Sequence, residues 1–188
     1  MKVHPVIGCC GIDCGLCPRF YTDGPSRCPG CAGEIFFEKH PSCPIITCCV
    51  KKKNLETCAE CAEFPCDRMK AWDRADSFVT HRKTLLNLRG IARDGLPAFL
   101  EQQKVRIGLL EKMLDRYDDG RSKSFYCLAA ALLAIEDLRD AVESMDVGEQ
   151  WRDDEKTAAK RLKARLRQRA EKIGIELVYR KTSGRHTR

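Results

Sequence analysis

The sequence predicts a mainly α protein, in which an irregular cysteine-rich metal-binding module packs on a helical body of about three helices and a basic C-terminal helix follows. Three observations carry that prediction. Twelve of the thirteen cysteines fall between Cys9 and Cys66. From Trp72 onward apolar residues recur at three-to-four spacing, the period of a helix with one buried face. Residues 149–188 hold thirteen Lys and Arg against six Asp and Glu, an excess equal to the whole net charge of +7. The boundaries follow as 1–67 for the module, 68–148 for the body and 149–188 for the basic helix and tail.

The module is read first from its spacing. Cys14 with Cys17, Cys28 with Cys31, and Cys58 with Cys61 form three C-x-x-C pairs. Such a turn lets two sulfurs converge on one ion, and two turns complete a tetrahedral shell at about 2.3 Å per Zn–S bond. Glycines and prolines break the intervening sequence into tight turns, and no long apolar run supplies a core. Bound metal therefore has to provide the folding free energy.

The candidate ligands are Cys10, Cys14, Cys17, Cys28, Cys31, Cys43, Cys48, Cys58, Cys61 and Cys66. One partition groups Cys14, Cys17, Cys28 and Cys31 on a first ion and Cys48, Cys58, Cys61 and Cys66 on a second, with Cys43 competing for the latter. Another takes Cys10, Cys14 and Cys17 as three ligands of one cluster. Spacing does not choose between them. Zinc is the first expectation for the cofactor, because C-x-x-C knuckles suit it and it needs no redox partner. An iron–sulfur cluster is the alternative, suggested by Cys-Pro at Cys17-Pro18, Cys28-Pro29 and Cys43-Pro44.

Cys9 and Cys49 adjoin other cysteines, and adjacent side chains project in different directions, so neither is needed as a ligand. His4 and His40 could substitute for a cysteine, although surface positions explain them as well. Lys51, Lys52 and Lys53 could balance a thiolate shell. The Cys10-x-x-x-Cys14-x-x-Cys17 triplet resembles the cluster motif of radical enzymes that use S-adenosylmethionine, but the chain has no βα repeat from which to build their barrel.

In the body, Trp72, Ala75, Phe78, Val79, Leu85 and Leu86 suggest one amphipathic helix. A second runs from Leu96 to Tyr117, with Pro97 in its first turn and Gly120 at its exit. A third takes Phe125, Leu128, Leu132, Ile135, Leu138, Val142 and Met145 on one face, capped by Ser122 or Ser124. Cys127 reads as a small buried hydrophobe. Residues 156–172 read as a basic helix, and residues 173–178 as a short strand or a docked extension.

Function is less legible than fold. Arg121, Ser122, Lys123 and Ser124, beside a glycine turn that opens a helix, are a candidate anion- or cofactor-binding loop, although capping alone explains them. No phosphate loop, H-E-x-x-H helix or nucleophile elbow is present, so an enzyme is not the favoured reading. Neither a signal peptide nor a membrane span is read, and dense cysteines in a reducing cytoplasm point to metal instead of disulfides. The expected partners are an unknown protein on the helical body and nucleic acid on residues 149–188, the latter sequence-blind and salt-sensitive. No membrane partner is expected.

The run Cys10-Gly11-Ile12-Asp13-Cys14-Gly15-Leu16-Cys17-Pro18 resembles the opening of the family known as domain of unknown function 3795. The resemblance continues through Cys28-Pro29-Gly30-Cys31, through Cys43-Pro44-Ile45 to Cys48, and through Cys58-Ala59-Glu60-Cys61-Ala62-Glu63-Phe64-Pro65-Cys66. Residues 117–127 extend it, so that it spans roughly 7 to 145. It implies a small cysteine-rich, metal-binding protein with no assigned reaction, in which Cys9 and Cys49 are extras.

Overall fold

The computed structural model describes residues 2–39, 43–70, 72–145 and 154–181. His40 and the tail beyond Lys181 lie outside them. Among the described residues there are seven α-helices and no strand. The cysteine-rich segment holds two short helices, α1 (Phe36–Lys39) and α2 (Pro44–Ile46), the latter continuing as a π turn over Thr47–Lys52. The body holds α3 (Thr84–Asp94), α4 (Leu96–Tyr117), α5 (Lys123–Leu132), α6 (Ile135–Glu143) and α7 (Glu155–Lys172).

The body is built around α5, whose residues from Tyr126 to Leu132 are all buried. Leu110 and Met113 of α4, Leu138 and Val142 of α6, and Leu162 and Leu166 of α7 close over it. Leu16 joins this core from the cysteine-rich segment, which pins one end of that segment to the helices. Cys127 is 1% exposed, as expected of a small hydrophobe.

Two helix expectations are corrected. The stripe from Trp72 to Leu86 does not form one helix: residues 72–82 make turns and bends, and α3 starts only at Thr84. The stripe from Phe125 to Met145 forms two helices, because the chain is extended at Leu133 and Ala134. Its break comes from Arg106, whose Nη1 donates to the carbonyls of Ala130 (2.7 Å) and Leu133 (2.6 Å). A cation at the last carbonyls satisfies acceptors that a continuing helix would use itself.

The basic helix has a buried face. Ala159, Leu162, Leu166 and Ala170 are at most 1% exposed. Several of its cations serve the body: Lys163 pairs with Asp119 (3.4 Å), Arg169 with Asp137 (3.6 Å) and Asp140 (3.5 Å), and Arg167 lies over the Phe125 ring.

Residues 173–181 dock without forming a strand, and Asp76 is what holds them. Its carboxylate accepts from the backbone N–H of Arg180 (2.7 Å) and of His81 (2.8 Å) and from Thr80 Oγ1 (3.1 Å). It also pairs with Arg82 Nε (3.5 Å) and Arg180 Nη2 (3.4 Å). Arg82 donates in turn to the carbonyls of Glu176 and Val178. Burial opposes ionisation of Asp76, but these donors outweigh it and hold the carboxyl below its ordinary pKa. A depressed folded-state pKa gives stability that is present above the unfolded value and lost as pH falls through the folded one. Asp76→Asn is therefore expected to lower stability by about 2 kcal/mol at neutral pH and to open Arg180 to trypsin. The gap between variant and wild type should narrow as pH falls below the ordinary aspartate range and on through the lower folded-state pKa; urea midpoints from neutral pH down through that range check both statements.

Candidate metal centres

Two of the three C-x-x-C pairs fold alike. Cys14–Leu16 and Cys58–Glu60 are single 3-10 turns, each closed by the second cysteine's N–H on the first cysteine's carbonyl, at 3.1 Å for Cys17 and 3.2 Å for Cys61. The second turn is set by Glu60, whose Oε1 accepts from both the N–H and the hydroxyl of Thr57. Cys28 and Cys31 sit instead on an open loop, tied down by the Cys31 N–H on the Pro5 carbonyl (3.0 Å).

Long-range bonds bring these pieces together. The Cys58 N–H donates to the Cys9 carbonyl (2.9 Å), joining the last knuckle to the first loop. Glu56 accepts from the N–H groups of Val3 and His4, each at 2.7 Å, and from the buried Lys2 ammonium at 3.0 Å. The N-terminal strand of chain is thus stapled across the module.

The result is two cavities lined by sulfur. One, of about 230 Å³, is lined by Cys48, Cys49, Cys58, Cys61 and Cys66. The other, of about 240 Å³, is lined by Cys9, Cys10, Cys14, Cys17, Cys28, Cys31 and Cys43, with Trp72 and Phe78 in its wall. All ten predicted ligand cysteines lie on one cavity or the other. Cys48, Cys58, Cys61 and Cys66 share the first, whereas Cys43 falls with Cys14, Cys17, Cys28 and Cys31 on the second.

Electrostatic proximity subdivides the larger group. Cys10 feels Cys31 and Cys43, and Cys14 feels Cys31, Cys10 and Cys17. Cys17 faces Cys28 and, across the body interface, Cys127. Burial pushes the Cys10 thiol up to about 12 and raises Cys14 and Cys17 above the ordinary thiol value. As free thiols these groups are neutral, which is how buried sulfur avoids an unpaired charge.

Cys9 and Cys49, set aside on sequence grounds, occupy the space between the cavities. They are 1% and 2% exposed. Cys9 Sγ lies 3.8 Å from Cys31 Sγ, about the separation of two sulfurs sharing one tetrahedral ion with Zn–S bonds near 2.3 Å. Cys9 also interacts electrostatically with Cys49, and Cys49 with Cys58, while the Cys49 thiol donates to the Leu55 carbonyl (3.4 Å). The neighbouring Cys58, aided by burial, keeps the Cys49 thiol up at about 12. Adjacency in sequence concealed this link, because which of two neighbouring cysteines points inward depends on the backbone turn.

All thirteen cysteines are free thiols. Among the described residues no three or more His, Cys, Asp or Glu side chains are assembled as a finished metal site; the thiols line the cavities without meeting at a point. The donor set nevertheless fits a soft metal. It is almost all sulfur, and backbone N–H groups are aimed at it: from Ile12 at Cys10, and from Arg19 and Phe20 at Cys17. Of the three consecutive lysines, Lys53 reaches the Cys61 sulfur at 3.4 Å and Glu63 at 2.7 Å, while Lys51 lies over the Phe37 ring.

The loop of Arg121, Ser122, Lys123 and Ser124 is closed by its own aspartates, and neither serine caps α5 as expected: Ser122 stands at the N-cap position without a side-chain cap bond. Asp118 accepts from the Ser122 N–H (3.0 Å), and Asp119 from the Arg121 N–H (3.1 Å) and the Ser122 hydroxyl (2.5 Å). The Ser122 hydroxyl and these neighbours hold the Asp119 carboxyl down at about 2. Lys123 donates to the Tyr21 carbonyl, and the Ser124 carbonyl accepts from Tyr179.

No helix among the described residues is long and apolar enough to cross a membrane. Neither a curated protein nor a solved structure matches the chain. Residues 6–71, the stretch that carries every cysteine of both cavities, match the family described as protein of unknown function (DUF3795).

Proposed function

We propose that this chain is a cytoplasmic metal-binding protein in which two thiolate centres hold structural zinc, leaving the helical body as a surface for a protein partner. The observation that carries the reading is the sorting of twelve cysteines around two separate cavities. Cys48, Cys58, Cys61 and Cys66 would hold one ion. Cys10, Cys14, Cys31 and Cys43, linked in the other cavity through Cys10, which feels both Cys31 and Cys43 and acts on Cys14, would hold the second. Zinc in such a site cross-links distant segments and contributes folding free energy directly. The free thiols throughout the chain accord with a reducing compartment.

An iron–sulfur reading is favoured by one specific feature. Each cavity offers more thiols than a single tetrahedral ion uses, and more than 200 Å³ of space, as its volumes of about 230 and 240 Å³ record. Clusters so held would make the chain an electron carrier or redox sensor.

Elemental analysis of anaerobically prepared protein separates these readings. Two zinc ions per chain in a colourless sample are expected, with Cys61→Ser and Cys14→Ser each losing one. A brown sample bleached by dithionite would transfer the assignment to iron–sulfur clusters. Folded protein free of both metals would overturn the proposal.

A further inference from the structure

A third cavity, of about 250 Å³, lies apart from the sulfur, between α3 and the first half of α4. Its most informative residue is Gln103. This side chain belongs to a residue only 2% exposed, lines the cavity, and has an Nε2 without a hydrogen-bond partner. Buried amide donors are nearly always paired, so an orphan aimed into a cavity is unusual.

The groups around it share one preference. Lys83 lines the cavity; its carbonyl accepts from the Asn87 N–H (2.7 Å), while its ammonium makes no close ion pair among the described residues and acts on Asp13 from a distance. Arg106 also lines the cavity, with Nη1 donating to the carbonyls of Ala130 and Leu133 and its charge acting on Asp13. Arg93 is already matched by Asp94 at 2.6 Å. Ala98 and Phe99, in the first turn of α4, bring the positive end of that helix to the same wall. Asp13 lies among these groups: it accepts from Asn87 Nδ2 at 3.0 Å, Gln103, Arg106 and Lys83 all favour its ionised form, and it has further acceptor capacity. With Arg93 and Asp94 paired to each other, two cations and the Gln103 donor gather around the one remaining carboxylate of the lining, Asp13, which leaves the cavity with an excess of one positive charge.

We infer that this cavity is a binding site for a small carboxylate that also carries a hydroxyl or amino group. Its oxyanion would accept from Gln103 Nε2, Lys83 and Arg106, and its hydroxyl or amino hydrogen would be donated to Asp13. The volume lies just under the ~300–1,000 Å³ of drug-sized sites, which limits the ligand to a small metabolite. Phe99 and Leu86 supply apolar wall for a short carbon chain. The inference uses none of the cysteines and stands whether or not the metal assignment does.

The test is isothermal titration calorimetry on the full metal-replete chain with L-malate, L-glutamate, succinate and inorganic phosphate, at constant ionic strength. Malate or glutamate is expected to bind, with succinate, which lacks the hydroxyl or amino group, at least tenfold weaker. Gln103→Leu is expected to weaken binding tenfold or more while its ligand-free melting temperature equals or exceeds that of wild type, since it removes an unpaired buried donor. Lys83→Ala, a half-buried position, gives a second reading that does not depend on packing around Gln103. Phosphate binding in preference to malate and glutamate would overturn the carboxylate assignment. Absence of binding by all four probes, or a lower ligand-free melting temperature for Gln103→Leu with binding unchanged, would show a water-filled structural cavity and overturn the inference altogether.

Discussion

Removing the bound metal from the full chain with a chelator is expected to abolish amide-exchange protection across residues 2–70 while α4, α5 and α6 stay protected. The reason lies in what each part has to stand on. The helical body closes over Tyr126, Leu128, Leu138, Leu162 and Leu166, all buried by other apolar side chains. The module's buried cluster includes Cys9, Cys10, Cys31 and Cys49 beside Phe36, Ile45, Ile46 and Met69, so sulfur occupies positions where a self-sufficient core would have carbon. Its regular structure is confined to turns of three to six residues, joined by a few longer-range backbone bonds such as Cys58 N–H to Cys9. Structural zinc contributes about 10–16 kcal/mol in small thiolate sites, as much as the whole net stability of a typical domain, about 5–15 kcal/mol. The helical far-UV signal should fall only modestly, because most helical residues lie in α3–α7. Frayed exchange at the start of α3 is expected too, since Leu88 packs into the module's cluster. Unchanged protection in residues 2–70 after complete metal removal would contradict the proposed function at its base.

How far the sequence revealed this arrangement depended on whether local pattern or distant contact decided each element. The α4 helix was legible because its stripe from Leu96 to Tyr117 is bracketed by Gly95, Pro97 and Gly120, each acting on its own neighbourhood. The failed stripe from Trp72 to Val79 had the same spacing but a different destination. Trp72, Phe78 and Val79 line the sulfur cavity, and Asp76 between them is committed to Arg180, a hundred residues away in sequence. Similarly, no glycine or proline announces the end of α5; Arg106 on α4 ends it from across the fold. In the module, the three C-x-x-C pairs identified the chemistry, because two sulfurs three residues apart can meet through a single turn. Which pairs share a cavity was not readable, since it follows from bonds such as Cys58 N–H to Cys9 and Val3 N–H to Glu56. The placement of Cys43 and the bridging position of Cys9 and Cys49 belong to that second kind.

Gly11→Ala should come close to preventing folding, with a loss of about 4 kcal/mol or more, whereas Gly24→Ala should cost only about 1 kcal/mol. Both glycines have a left-handed backbone, with φ of 84° and 75°. Any alanine there bears the conformational penalty, roughly 1–2 kcal/mol. Their surroundings differ. Around Gly24 a Cβ would meet nothing within 4 Å. At Gly11 it would fall on the Thr84 carbonyl oxygen and the Leu88 side chain. Neither can yield easily: Thr84 opens α3, and Leu88 is fully buried in the module's cluster. The same contact is fastened by Asn87, whose Nδ2 donates to the Gly11 carbonyl (2.9 Å) and to Asp13 (3.0 Å). Forcing the loop outward would break both bonds and shift Cys10 away from Cys14, so metal content should fall with stability. Urea midpoints and zinc or iron per chain for the two variants make the comparison. Equal losses at the two positions would mean that the loop is not seated on α3, and that Gly11 serves only its own turn.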